Sequence, residues 1–344
     1  MLSTLPKLAD RSFIYGFYLP TLLFSIVALI LFQDCPAAKG LLDDLATKEI
    51  TKAAYVLLMV WVMAIALLTL NNPLYRFLEG YTFPIWLAEP LKARNRESLQ
   101  KALDEIKALF QRRNMEQGKF PPADLRRYRI LRRDTANGMP STSSDVLPTD
   151  FGNAIRAFEL YSRDIYGADG VWVWLRLATV IPKDVVEQIQ DSRTPIDFLI
   201  NCCLYSFAIA ALAFGRVIYA GFRQQPIVTT PVGSWLAFSA GGLLVAYLFY
   251  CWAVTRVPAW GNWVMTAYDC YLPALAKQLG CELPPAEAER IAFWNAFSRQ
   301  LIYRRDPDGK LAFSVERAKF AAEAEKTKTP QAIALTINVE NDTL

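Results

Sequence analysis

Histidine is absent from all 344 residues. That excludes Ser-His-Asp and Cys-His nucleophile systems, HExxH metal sites and imidazole-based pH sensing near neutrality. The six cysteines, Cys35, Cys202, Cys203, Cys251, Cys270 and Cys281, contain no CxxC pair. The ligand spacing of a zinc or iron–sulfur site is therefore missing, and neither a metal nor another cofactor is expected. Small apolar packing residues are the simpler reading of most of these thiols. No glycine-rich phosphate loop and no DxxD-type carboxylate pair occurs, and Asp164 and Asp169 alone make no acid–base site. An enzyme is not expected. Charge is also scarce, at 20% of residues, and the net charge of +4 is too mild to argue for nucleic acid.

What is abundant is apolar surface, 53% of the residues, gathered into long runs. Ser12 to Phe32, Ala53 to Leu70, Phe198 to Gly215 and Ser234 to Thr255 carry no charge. A bilayer core takes about 20 apolar helical residues, so each run is a candidate transmembrane helix. The first is too long for the apolar part of a cleaved signal peptide. Pro20 inside it predicts a kink, which needs a neighbouring donor for the carbonyl it leaves free. The expected fold is mainly α: an integral membrane protein of about four transmembrane helices with a mostly helical cytoplasmic domain built from two chain segments.

Orientation follows from Lys and Arg near the runs. The segment between the second and third runs carries Arg94, Arg96, Arg112, Arg113, Arg126, Arg127, Arg129, Arg132 and Arg133. The C-terminal segment carries Arg290, Arg299, Arg304, Arg305, Arg317 and Lys319, whereas the two short loops are poor in cations. Both termini of a multi-pass membrane protein are expected in the cytoplasm. The expected divisions are a first helix pair at 12–75, cytoplasmic parts at 76–195 and 257–310, a second pair at 196–256 and a tail at 311–344.

Within the cytoplasmic parts, Tyr75, Phe77, Tyr81, Phe83 and Trp86 have the composition of an interfacial belt. Leu99, Leu103, Ile106 and Phe110 predict an amphipathic helix over about 90–116, ended by Pro121 and Pro122. The stretch 135–145 reads as an exposed loop. Thr149 can cap a helix that buries Phe151, Ile155 and Phe158. Val171 to Leu177 alternates large apolar residues and suggests a short strand or interfacial hairpin. Pro182 opens a further helical pattern that Pro195 interrupts, and Leu272, Leu275 and Leu279 suggest a separate short helix. The tail ends in a short β-prone TINVE.

The residues Leu147, Pro148, Thr149, Gly152 and Asn153, then Tyr166, Gly167 and Asp169, then Trp174, Arg176 and Leu177 form the pattern LPTxxGN, YGxD, WxRL. In this the chain resembles a family of uncharacterised bacterial four-span membrane proteins, over roughly half its length. The resemblance implies the architecture and a bacterial source, and it carries no activity.

Two functions fit. The first is a homo-oligomeric channel gated through its cytoplasmic domain. Asp197, Asn201, Ser206, Ser239 and Arg256 are its pore-lining candidates, since small or polar residues in spans and charges at the mouth set packing and selectivity. The layout is similar to channel-type effectors of bacterial anti-phage systems such as Hailong. Arg126, Arg127, Arg129, Arg132 and Arg133 would then hold a nucleotide or oligonucleotide by its phosphates. The alternative is a non-conducting, membrane-anchored sensor or scaffold, its arginines attracted to anionic headgroups. The partners expected are the lipid bilayer, further copies of the chain and an anionic nucleotide ligand. The spans themselves are expected to hold no buried charge, which argues against a proton relay.

Overall fold

The computed structural model describes residues 10–33, 35–46, 50–115, 120–222 and 232–303. These are mainly helical, with no strand among them. Arg223, Arg304, Arg305, Arg317, Lys319, the 311–344 tail and its TINVE stretch lie outside the described residues.

Among the described residues, four helices are long and apolar enough to cross a membrane: α1 (Arg11–Leu31), α3 (Ile50–Thr69), α9 (Lys183–Phe222) and α10 (Val232–Gln278). Between them come α2 (Pro36–Ala46), α4 (Asn71–Leu78), α5 (Ile85–Met115), α6 (Pro122–Gly138), α7 (Asp150–Tyr166) and α8 (Gly170–Leu177), and α11 (Glu287–Tyr303) follows. At 1.5 Å per residue the 40 residues of α9 measure about 60 Å and the 47 of α10 about 70 Å, twice a bilayer core.

The chain forms two compact units. One comprises Met1–Ala157 with Glu187–Trp260, and the other Phe158–Val186 with the chain from Gly261 onward. The stretch expected as one cytoplasmic piece, 76–195, is thus divided between them.

In the first unit, contacts sort the helix ends into two layers. At one layer, Arg11 of α1, Asp191 of α9 and Arg256 of α10 line a single cavity. Asn71 and Tyr75, just past α3, reach Asp197 of α9 in the same layer. At the other, Arg216 of α9 donates to Cys35 Sγ and lies over the rings of Phe32 and Trp235, at 5.6 and 4.8 Å. From Asp197 to Arg216 is 19 residues, about 29 Å of helix, which matches the thickness of a hydrocarbon core. The four helices therefore alternate in direction, and the apolar zone between the layers has the length a bilayer requires.

Pro20 is accommodated by a turn of π-helix, Ile14–Tyr18, that precedes it. Asn201 Nδ2 donates to Gly16 O, four residues before Pro20, at 2.7 Å. That is the neighbouring donor a mid-span proline demands. Thr21, fully buried, donates to Phe17 O at 2.7 Å and meets Tyr205 Oη at 2.8 Å.

Helices α5 and α6 form an antiparallel pair. Its buried residues are Asn95, Leu99, Leu109 and Tyr128, while Leu103 and Phe110 sit at the edge with over 40% exposure. The buried face of α5 is therefore rotated from the expected one. Ion pairs Arg112–Asp124 (3.2 Å) and Arg127–Glu105 tie the helices together. Residues 135–138, expected in a loop, extend α6.

In the second unit, Gly170–Leu177 is a helix and not a strand. Asp169 caps it, its carboxylate accepting from Val171 N at 3.1 Å and Trp172 N at 3.0 Å. A local cap of this kind overrides the β tendency of alternating Val and Trp. Pro195 does not interrupt α9, and Leu272 and Leu275 belong to α10 instead of a separate helix.

Candidate functional site

The densest polar cluster of the first unit surrounds Asp197, which is only 8% exposed. Tyr75 Oη donates to its Oδ1 at 2.7 Å and Asn71 Nδ2 to the same oxygen at 3.3 Å. Arg193, one turn earlier on α9, places Nε 3.6 Å from Oδ2, an ion pair longer than a hydrogen bond. The guanidinium lies over two rings, Tyr75 at 4.9 Å and Trp260 at 5.3 Å. Gly16 of α1 closes the cluster: a Cβ there would stand 3.3 Å from Asp197 Cβ. Helices α1, α4 and α9 therefore meet at Asp197, and α10 joins them through Trp260 on Arg193. Burying the carboxylate in apolar surroundings demands these partners.

Asp197, expected as a charge at the mouth of the spans, is buried at their edge. With Arg193 it makes a closed pair, whose geometry suits a fixed joint between helices. Tyr75 is 6% exposed and belongs to this joint, not to an interfacial belt. Phe77, Tyr81 and Trp86 do stand out, Trp86 at 77%.

The other expected pore-lining residues divide. Asn201 is fully buried on Gly16 O, and Ser239 is buried, both inside the protomer. Ser206 is half-buried: its carbonyl is 3.1 Å from where a Cβ of Gly242 would sit, so Gly242 allows α9 and α10 to approach closely. Arg256 alone is exposed. The cluster around Asp197 has one sequence signal, the Arg193–Asp197 spacing of four. Tyr75, Asn71 and Trp260 are too distant in sequence to have been foreseen.

The five arginines of α6 are all exposed. Arg126, Arg129 and Arg133 fall on one outward stripe, with Arg133 bound to Asp134 at 3.0 Å. Arg127 pairs with Glu105, and Arg132 reaches Tyr128 Oη at 3.5 Å. Three of the five, Arg126, Arg129 and Arg132, make no ion pair with a described residue.

The patterned residues hold corners of the fold. Thr149 Oγ1 donates to Leu78 O at 2.7 Å and accepts from Gly152 N at 3.0 Å, so it caps α7. Phe151, Ile155 and Phe158 are buried as that helix's apolar face. Asn153, fully buried, clasps Leu147 from both sides, accepting from its N at 2.7 Å and donating to its O at 3.1 Å. Gly152 passes so close to Glu79 that a Cβ would lie 2.5 Å from its carbonyl oxygen. In the second unit Gly167 has φ +75°, and a Cβ there would lie 2.5 Å from Ile291 O. Leu177 is fully buried, and Arg176 Nη1 donates to Trp172 O at 3.0 Å.

The second unit also holds a cavity of about 150 Å³ whose wall includes Tyr166, Asp269, Arg290 and Trp294. Tyr161 and Tyr166 both donate to Asp269 Oδ1, at 2.9 and 2.8 Å. Burial, then the Asp269 carboxylate, pushes both phenols above their ordinary range. Both hydroxyls are held as donors to the one carboxylate.

No known family, characterised relative or solved structure matches the chain.

Proposed function

We propose that the chain is a subunit of a homo-oligomeric membrane channel, oriented with both termini in the cytoplasm of a bacterium and controlled through its cytoplasmic helices. The observation that carries this reading is the bareness of α10. Its apolar window is 11% buried, less than that of any other span. It packs along one stripe, Trp235, Ser239, Gly242 and Ala246, and leaves Leu236, Gly241, Leu244 and Leu248 uncovered. A face with Ala237 and Gly241 in successive turns allows the same helix of another copy to approach closely.

Because Asp197, Asn201 and Ser239 are held inside the protomer, the lining falls to this outward, apolar face. Such a pore closes by dewetting, and a small rotation of α10 would change its width. The stripe of Arg126, Arg129 and Arg133 is where an anionic nucleotide or oligonucleotide would act, by phosphate contacts. A role as an anti-phage effector follows only from such a ligand.

One observation favours a second reading, a non-conducting sensor or scaffold: Thr21 and the Asn201 amide nitrogen, buried deep in the spans, both bond within the protomer. Planar-bilayer recording of the purified chain decides between the two. Unitary current steps that appear with a short oligonucleotide at low salt support the channel. A monomer or dimer that passes no current with or without it supports the scaffold.

A further inference from the structure

The cavity at the polar layer of the first unit has a volume of about 620 Å³ and opens between α1, α9 and α10. Its walls are sorted by depth along all three helices. Arg11, Arg256 and Asp191 stand at the end where the apolar runs stop, and Leu19, Phe198 and Trp252 lie towards the middle of the spans. Arg11 precedes Leu19 by eight residues, about 12 Å, and Asp191 precedes Phe198 by seven, about 10 Å. Arg256 follows Trp252 by one turn. Trp252 is 61% exposed and Tyr15, beside it on the wall, 50%. Neither arginine and no Asp191 oxygen forms an ion pair with a described residue, although Arg11 lies 5.7 Å from the Tyr15 ring.

We infer that this groove is a binding site for a phospholipid with a primary-amine headgroup, of the phosphatidylethanolamine kind. The acyl chain lies along Leu19, Phe198 and Trp252, where it replaces water on apolar surface. The phosphodiester sits between the guanidinium groups of Arg11 and Arg256, which carry donors suited to its oxygens. The ammonium reaches beyond the phosphate to Asp191, the outermost residue that α9 contributes to the cavity wall. Charge complementarity selects this occupant: without an amine, the Asp191 carboxylate would oppose the phosphate, and a quaternary choline offers no N–H to donate. The assignment requires only that these helices lie in a bilayer, and it is independent of conduction and of orientation.

The test is native mass spectrometry of the full chain in detergent, titrated in parallel with phosphatidylethanolamine, phosphatidylcholine and phosphatidylglycerol. Phosphatidylethanolamine is expected to bind as a single saturating adduct, with phosphatidylcholine and phosphatidylglycerol weaker. Replacing one arginine, Arg11→Gln or Arg256→Gln, is expected to weaken it about tenfold. Asp191→Asn is expected to abolish the preference for the ethanolamine lipid while retaining phospholipid binding. Helical circular dichroism and the elution volume of each variant show that it remains folded. Equal binding of the three lipids by the wild type, a preference for phosphatidylglycerol, or indifference to the arginines would overturn the assignment. So would a dimer whose formation excludes lipid, because a second copy would then fill the groove.

Discussion

Removing Arg193 strands a buried carboxylate. The pair is 3.6 Å apart, and Coulomb attraction at an effective dielectric of about 20 gives about 5 kcal/mol. The Arg193 side chain is 34% exposed, so solvent screening trims this to a coupling of about 2–4 kcal/mol. Arg193→Met should cost about 3–5 kcal/mol, because Asp197 keeps only Tyr75 and Asn71 as donors. Asp197→Asn should cost less, about 1–3 kcal/mol, since an amide still accepts from Tyr75 and Arg193 keeps its two rings. The double variant should fall well short of the sum. The assay is reversible denaturant unfolding in micelles, followed by tryptophan fluorescence for all four proteins of the cycle. Additivity within about 0.5 kcal/mol would refute the joint, for it would show that the two groups do not interact in the folded protein.

Asn201→Ala should destabilise the wild type by about 1–3 kcal/mol by stranding Gly16 O, and by less in a Pro20→Ala background, where a backbone N–H returns; a second unfolding cycle reads this difference. Gly152→Ala should cost more than about 2 kcal/mol, with its Cβ driven against Glu79 O, whereas Gly40→Ala, with nothing within 4 Å, should be near neutral. The Tyr161 and Tyr166 phenols, held above the ordinary value of 10.0, should give phenolate absorbance later than free tyrosine, and Asp269→Asn should bring it earlier. Since the unfolded chain ionises first, their contribution to stability is complete below about pH 10 and is lost as the pH rises through the folded values.

How much of this was legible in the sequence depended on how local each cause was. Charge-free runs mark the spans because lipid tolerates no alternative, and Thr149 announced its helix because a cap acts within three residues. Pro20 signalled that a donor was needed, but Asn201 lies 181 positions away, so its identity came only from packing. Asn201 read as a pore candidate because polarity within a span suggests water, and Asp197 because a charge at the mouth sets selectivity. Each bonds to a distant polar group, Asn201 to Gly16 O and Asp197 to Tyr75 and Asn71, and a partner that distant cannot be read from the sequence. Val171–Leu177 misled because alternation was weighed without Asp169, whose carboxylate satisfies two free N–H groups and starts a helix. Pro195 stays inside α9 because flanking turns retain their hydrogen bonds and the site is packed against α1 through Gly16.

The helix ends of the first unit form two layers, and the proposed orientation puts the polar layer on the cytoplasmic side. Labelling of single-cysteine variants with an impermeant maleimide in intact cells tests it directly. Gln33→Cys, exposed beyond the far end of α1, should react at once, whereas Glu282→Cys, exposed after α10, should react only after the membrane is permeabilised. Labelling of Glu282→Cys in intact cells, or protection of Gln33→Cys there, would contradict the account.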